Sequence, residues 1–126
     1  MVGIVVVSHS KKLAEGVVEL SKLIAGDCPM AAAGGLEDGS FGTSYEKIEE
    51  AINSVYSDDG VVVIMDLGSS CMTTEMVIEN MEGKKVEMVD CPMVEGAAAA
   101  AAESEGGSSL DEVKQAAMEA AGEAKF

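Results

Sequence analysis

Gly3-Ile4-Val5-Val6-Val7-Ser8-His9-Ser10 decides the fold. Ile4 to Val7 is an uninterrupted β-branched run, the pattern of a strand covered on both faces, and such strands belong to parallel sheets flanked by helices. The run stops at Ser8-His9-Ser10. Beyond it Leu13, Val17, Leu20 and Ile24 recur at helical spacing until Gly26 supplies a stop.

The same alternation continues outward from this unit. Pro29 to Ala33 reads as a short second strand of small residues, followed by the glycine-rich loop Gly34 to Gly42. Thr43 or Ser44 caps a second helix with Ile48, Ile52 and Val55 on its inner face. Asp58-Asp59-Gly60 is a turn, and Val61 to Met65 is a third strand ending at Asp66-Leu67-Gly68-Ser69-Ser70. A third helix is expected from near Thr73 to between Met81 and Gly83, and a fourth strand from Lys85 to Val89. Two helices close the chain, from Val94 to about Glu103 and from Leu110 to about Ala121. The order βαβαβαβαα implies right-handed crossovers, hence an α/β fold: an open, mainly parallel four-stranded sheet with helices on both faces. At 126 residues it is read as a single domain, 1–126. Asp27-Cys28-Pro29-Met30 recurs as Asp90-Cys91-Pro92-Met93, but one copy enters a strand and the other leaves one, so the repeat is read as coincidence.

Composition removes several function classes. Twenty-three acidic side chains face eight basic ones, giving a formal net charge of -15, and aromatics are 3%. Nucleic-acid modules need basic patches, and single-strand binders add aromatic platforms, so no nucleic-acid partner is expected. The acidity also disfavours anionic membrane surfaces, and runs such as Val61 to Met65 are too short to span a bilayer, so no membrane insertion is expected. Met1-Val2-Gly3 lacks the basic start of a signal peptide, which points to the cytoplasm. All eight basic residues are lysine, so the chain has no guanidinium fork of its own. Cys28, Cys71 and Cys91 form no CxxC pair; with His9 they could be drawn as a Cys3His set, but they are read as small idle thiols, with no metal.

Ligands of open parallel sheets sit beyond the carboxyl ends of the strands. Four segments reach that edge: Ser8-His9-Ser10, Gly42-Thr43-Ser44, Asp66 to Ser70, and Asp90 to Glu95. Neutral histidine is a nucleophile that can hold a phosphoryl group covalently, which makes His9 the catalytic candidate. Asp66 is the carboxylate placed to bond its second ring nitrogen and fix the tautomer. Ser8, Ser10, Gly42, Thr43, Gly68 and Ser69 are the candidate phosphate-binding residues, through hydroxyls and through the backbone N–H groups of glycine turns and helix starts. Thr43, and Ser69 or Ser70, divide evenly between helix capping and phosphate contact. Met72 and Met93 are candidates for an adaptable docking surface. There is no GxxxxGK[ST] loop, no GxGxxG after the first strand, and no acidic pair after it of the kind a receiver domain uses. A phosphoryl carrier that takes the group from one protein and hands it to another fits what is left.

Val5-Val6-Val7-Ser8-His9-Ser10 with Leu13-Ala14-Glu15-Gly16 resembles the opening of the mannose-family enzyme IIA domains of the bacterial phosphotransferase system. Those domains more often carry Thr-His-Gly at the histidine and Trp-Gly-Gly-Ser-Pro after the third strand, where this chain has Ser-His-Ser and Asp66-Leu67-Gly68-Ser69-Ser70. With Gly34-Gly35, Asp38-Gly39, Gly42-Thr43 and Pro92-Met93-Val94-Glu95-Gly96, the chain is similar throughout to the phosphotransferase subunits of phosphoenolpyruvate-dependent dihydroxyacetone kinases. The resemblance implies a phosphoryl group taken from HPr onto Nε2 of His9. From there it passes to ADP held on the subunit DhaL, which phosphorylates dihydroxyacetone on DhaK. It implies that ADP or ATP resides on DhaL, that this chain binds no cofactor, and that it forms a homodimer. Some relatives carry fused HPr-like and enzyme I-like domains; a chain ending after the IIA-like domain would need both from outside. Two other roles stay open: a mannose-type enzyme IIA passing phosphate to a transporter IIB domain, and a regulatory phosphohistidine module.

Overall fold

A computed structural model describes residues 1–126. β1 (Gly3–Ser8), β2 (Met30–Gly34), β3 (Val61–Met65) and β4 (Val86–Val89) alternate with α1 (Lys11–Ile24), α2 (Tyr45–Val55) and α3 (Gly68–Glu79). They are followed by α4 (Met93–Glu105), α5 (Leu110–Glu119) and a 3-10 turn, Ala120–Gly122. The four strands pair entirely in parallel in the order β2-β1-β3-β4. The element order and the α/β class are those read from the sequence. No helix is long and apolar enough to cross a membrane.

Two apolar layers hold the sheet. Ile4, Val6, Val62 and Ile64 face one side, where Ala14, Val17, Ala97, Ala100, Ala101, Val113 and Ala117 of α1, α4 and α5 cover them. Val5, Val7, Val61, Val63 and Met65 face the other, against Ile48, Ala51 and Ile52 of α2 and Val77 of α3. Every one of these strand residues is buried, as their continuous β-branched pattern requires. The alanines of α4 let that helix lie close against the sheet, and its outward neighbours need not be apolar.

Both ends of α3 and the inner face of α1 differ from expectation, for one physical reason. α3 begins at Gly68 rather than near Thr73 and ends at Glu79 rather than at Met81 to Gly83. Its inner face is Ser70, Thr74 and Val77, while Met72 and Met76 point outward, so hydrophobic periodicity does not mark it. In α1 the spacing of Leu13, Val17, Leu20 and Ile24 located the helix but not its inner face, which is Ala14, Val17 and Ser21. Small residues line both buried faces because the helices approach closely, and larger apolar residues are left outside. β2 and β4 each start one residue later than read, and Ser44 rather than Thr43 caps α2.

The chain leaves β1 toward β2 on one side and reaches β3 and β4 on the other. The carboxyl ends of β1 and β3 therefore flank the point where the strand order reverses, which is where open α/β sheets bind ligands. His9 follows β1 and Asp66 follows β3.

Candidate functional site

Val7 is paired with Met65 across β1 and β3, so the residues just beyond them, Ser8-His9 and Asp66, leave the sheet side by side. Asp66 is the hub. Its Oδ2 accepts the Ser8 hydroxyl at 2.8 Å and the His9 backbone N–H at 3.0 Å. Its Oδ1 accepts the Leu67 N–H at 2.7 Å, the Ser70 hydroxyl at 2.8 Å and His9 Nδ1 at 3.1 Å. Partial burial works against its ionisation. The His9 N–H, the Ser70 and Ser8 hydroxyls and the Leu67 N–H outweigh it and hold the carboxyl far below the ordinary carboxylate range.

A carboxylate only accepts hydrogen bonds, so the proton of the neutral imidazole belongs on Nδ1 and the lone pair on Nε2. Nε2 faces the Ser69 hydroxyl, which donates to it. The imidazole is 28% exposed and the Asp66 carboxylate 14%, so the nucleophilic edge is open while the orienting edge is covered. Ser69 lies in the first turn of α3, which no side chain caps. The N–H groups of Gly68 and Ser69 have no acceptor within the helix, as at any helix start, and lie at the positive end of its dipole.

The other sequence-derived candidates occupy distinct places. Ser8 is fully buried beneath the site, its hydroxyl donating to Asp66 and accepting the Ser10 N–H at 3.0 Å. Ser10 caps α1, accepting the Leu13 N–H at 3.2 Å. Gly42 donates its N–H to the His9 carbonyl at 3.0 Å and has φ +150, a conformation that favours glycine. Thr43 Oγ1 lies 3.5 Å from Ser70 Oγ on the flank of the cluster. Ser8 and Ser10 thus spend their hydroxyls on building the site, whereas the Ser69 hydroxyl faces His9 Nε2. Ser70 turns inward: it is fully buried, and its hydroxyl also lies 3.3 Å from His9 Nδ1. Its spacing of four residues from Asp66, across a helix start, is the only sequence signal for that role.

The loop opposite is fixed as firmly. Gly34 lets β2 end against the start of α1, where a Cβ would meet the Lys11 Cα at 2.6 Å. Lys47 Nζ donates to the carbonyls of Gly34 and Leu36, at 3.1 and 3.2 Å, and the Ser44 hydroxyl donates to Glu37 at 2.6 Å. The loop presents Phe41 beside Gly42, and Leu67 and Met72, at and after the start of α3, are also exposed. Met93, by contrast, packs partly into the core. A cavity of about 400 Å³ borders Asp66, lined by Met65, Cys71, Met88, Val89, Asp90 and Cys91. Burial, then the neighbouring Asp90, pushes the Cys91 thiol up to about 11. Cys71 packs on the α2/α3 side of the sheet while Cys28 and Cys91 pack on the other, so the three thiols do not converge on His9.

The site is thus a strand-end histidine held by a carboxylate, with its second nitrogen beside a helix N-terminus, on a 2-1-3-4 parallel sheet. Comparison with known proteins places it. Residues 3–114 match the family model EIIA-man, described as the PTS system fructose IIA component, and the chain belongs to that family. The curated relatives it matches within the family are DhaM proteins. It is 44% identical over 101 residues to the "PEP-dependent dihydroxyacetone kinase 1, phosphoryl donor subunit DhaM" of Listeria innocua, covering 80% of each chain. It is 40% identical over 127 residues to the DhaM phosphoryl donor subunit of Escherichia coli, covering 95% of this chain and 27% of that one. The chain thus spans about a quarter of the length of that longer relative. The crystal structure of a protein of unknown function superposes with a TM-score of 0.85 at 30% identity, covering 100% of this chain and 99% of the other.

Proposed function

We propose that this chain is the phosphoryl carrier of a phosphoenolpyruvate-dependent dihydroxyacetone kinase. The observation that carries the reading is the His9–Asp66 pair: Nδ1 is engaged at 3.1 Å while Nε2 faces outward beside the start of α3. The relatives' printed role, phosphoryl donor subunit, supports it. In the first half-reaction Nε2 of His9 attacks the phosphorus of a phosphohistidine on HPr. The donor's P–N bond breaks as the new Nε2–P bond forms. The Nδ1 proton stays in place, and Asp66 balances the positive charge that develops on the ring. Gly68 and Ser69 donate to the phosphoryl oxygens, the Ser69 hydroxyl turning from Nε2 to the incoming group.

In the second half-reaction a terminal oxygen of ADP on DhaL attacks the phosphorus, the Nε2–P bond breaks, and neutral His9 returns. DhaL then phosphorylates dihydroxyacetone on DhaK. The nucleotide stays on DhaL, and this chain contributes no cofactor. Residues 1–126 act as one carrier domain, in the cytoplasm where phosphoenolpyruvate is available, and work as a homodimer. Phe41, Leu67 and Met72 form the shared docking rim for donor and acceptor. Both must leave after transfer, which suits a small exposed apolar patch better than a deep pocket.

The test is intact-mass analysis after incubation with phosphoenolpyruvate, enzyme I and HPr, followed by DhaL–ADP. One acid-labile phosphate on His9 that disappears on adding DhaL–ADP is the expected result. A phosphate that remains would point instead to a transporter IIB acceptor or a regulatory module. No phosphate at all, with active HPr, would overturn the reading.

A further inference from the structure

In the resting site the Ser69 hydroxyl is hydrogen-bonded to His9 Nε2. Nδ1 carries its proton toward Asp66 Oδ1 at 3.1 Å, so Nε2 holds a lone pair and the hydroxyl is the donor. Ser69, His9 and Asp66 therefore stand in one chain of hydrogen bonds: hydroxyl, base and orienting carboxylate. In that order an alcohol becomes a nucleophile, because the imidazole removes its proton as the oxygen attacks. A phosphoryl carrier needs the Nε2 lone pair but no hydroxyl bonded to it. Of the four serines around His9, only Ser69 suits this part. Ser8 and Ser70 are buried and donate to Asp66, and Ser10 caps α1. Ser69 is exposed, and no side chain caps α3, so its hydroxyl is not spent on the helix. The space beside it is open, since a Cβ built on Gly68 would meet nothing within 4 Å. The Ser70 N–H already donates to the Leu67 carbonyl at 3.0 Å, which leaves the N–H groups of Gly68 and of Ser69 itself as free donors.

We propose that Ser69 is a second nucleophile of this site, activated by His9 and Asp66, and that it transfers short acyl groups from activated esters to water. In the first step Ser69 Oγ bonds to the carbonyl carbon as its proton passes to Nε2. The bond from that carbon to the leaving oxygen then breaks, and the proton on Nε2 goes to the leaving oxygen. In the second step a water gives a proton to Nε2 and its oxygen to the acyl carbon, and Ser69 Oγ departs with that proton. The Gly68 and Ser69 N–H groups are the donors available to the oxyanion of each tetrahedral intermediate. None of the molecule's cavities includes His9 or Ser69, so the acyl group is short and turnover slow. The base in this reaction is the nitrogen assigned above to the phosphoryl group. A phosphoryl group on Nε2 and acyl transfer by Ser69 therefore exclude one another. Acyl transfer needs only the resting geometry, whichever proteins charge and discharge His9.

The test has two arms, both on the full chain. A fluorophosphonate probe reports the nucleophile directly: Ser69 Oγ bonds to phosphorus, fluoride leaves, and the proton passes through Nε2 to solvent. Intact mass and peptide mapping should find one adduct on the parent, at Ser69, formed at least about 10²-fold more slowly in His9→Ala. This arm is read on the parent first, so it does not depend on a variant that folds. In the second arm, steady-state release of p-nitrophenolate from p-nitrophenyl acetate should fall at least about tenfold in Ser69→Ala. Ser69 is exposed and caps nothing, so that variant should keep the parent's melting curve. Release should also stop when His9 of the parent is first phosphorylated with phosphoramidate. No adduct, or an adduct on another residue, would overturn the proposal. So would ester turnover that survives Ser69→Ala, which would make the imidazole itself the acyl acceptor.

Discussion

The two ends of the same sheet are both rich in polar residues, yet their polar groups are wired differently. At the amino end the groups satisfy one another. The Met1 ammonium donates to Asp59 at 2.7 Å, the Ser57 hydroxyl donates to the Met1 carbonyl at 3.3 Å, and Lys85 Nζ donates to the Asp58 carbonyl at 3.2 Å. At the carboxyl end five donors converge on Asp66, and the network runs out through a partly exposed imidazole to the Ser69 hydroxyl. The repeated Asp-Cys-Pro-Met makes the same point. At the amino end Cys28 and Met30 are buried, whereas at the carboxyl end Cys91 and Met93 are half-buried as α4 begins. Residue type does not set the two ends apart; a carboxylate that gathers five donors beside a partly exposed imidazole does.

The sharpest way to break this contrast is to remove the nucleophile. His9→Ala should abolish phosphorylation by phospho-HPr, with the circular dichroism spectrum and melting curve unchanged. Asp66→Asn should lower the rate of phosphoryl acceptance by about 10²–10⁴-fold, because an amide no longer specifies the Nδ1–H tautomer; rapid-quench assays would read it. A rate within twofold of the parent would deny the orienting role.

Serines at the two ends give a matched pair. Ser8→Ala leaves Asp66 and the Ser10 N–H short of a partner in a buried position and should cost about 1–3 kcal/mol in urea denaturation. Ser57→Ala at the exposed amino end should stay within about 0.5 kcal/mol. Equal losses would erase the distinction between a built site and an ordinary turn.

Acid should reveal the same hub. The Asp66 carboxyl is held far below its ordinary range in the fold, so its contribution is complete above the unfolded value of about 3.9 and is lost as pH falls below it. Denaturation midpoints measured from pH 5 to pH 2.5 should fall less steeply in Asp66→Asn than in the parent.

Much of this was readable in the residues, and the parts that were not share a cause. Ile4 to Val7 and Val61 to Met65 announce buried parallel strands, and a parallel sheet brings the residues that follow its neighbouring strands together, so His9 and Asp66 could be paired from sequence. The inner faces of α1 and α3 could not be. They are lined by Ala14, Ser21, Ser70 and Thr74, which pack close to their neighbours without an apolar signature. The start of α3 was hidden for that reason, and with it the inward turn of Ser70.

The most direct measurement is ¹⁵N and ³¹P NMR of protein labelled at its one histidine, before and after phosphorylation by phospho-HPr. The account predicts a Nδ1–H imidazole in the resting state and a single phosphoryl group coupled to Nε2 afterwards, with Nδ1 still protonated. A phosphoryl group on Nδ1, or a folded protein whose His9 takes none from an active donor, would contradict it.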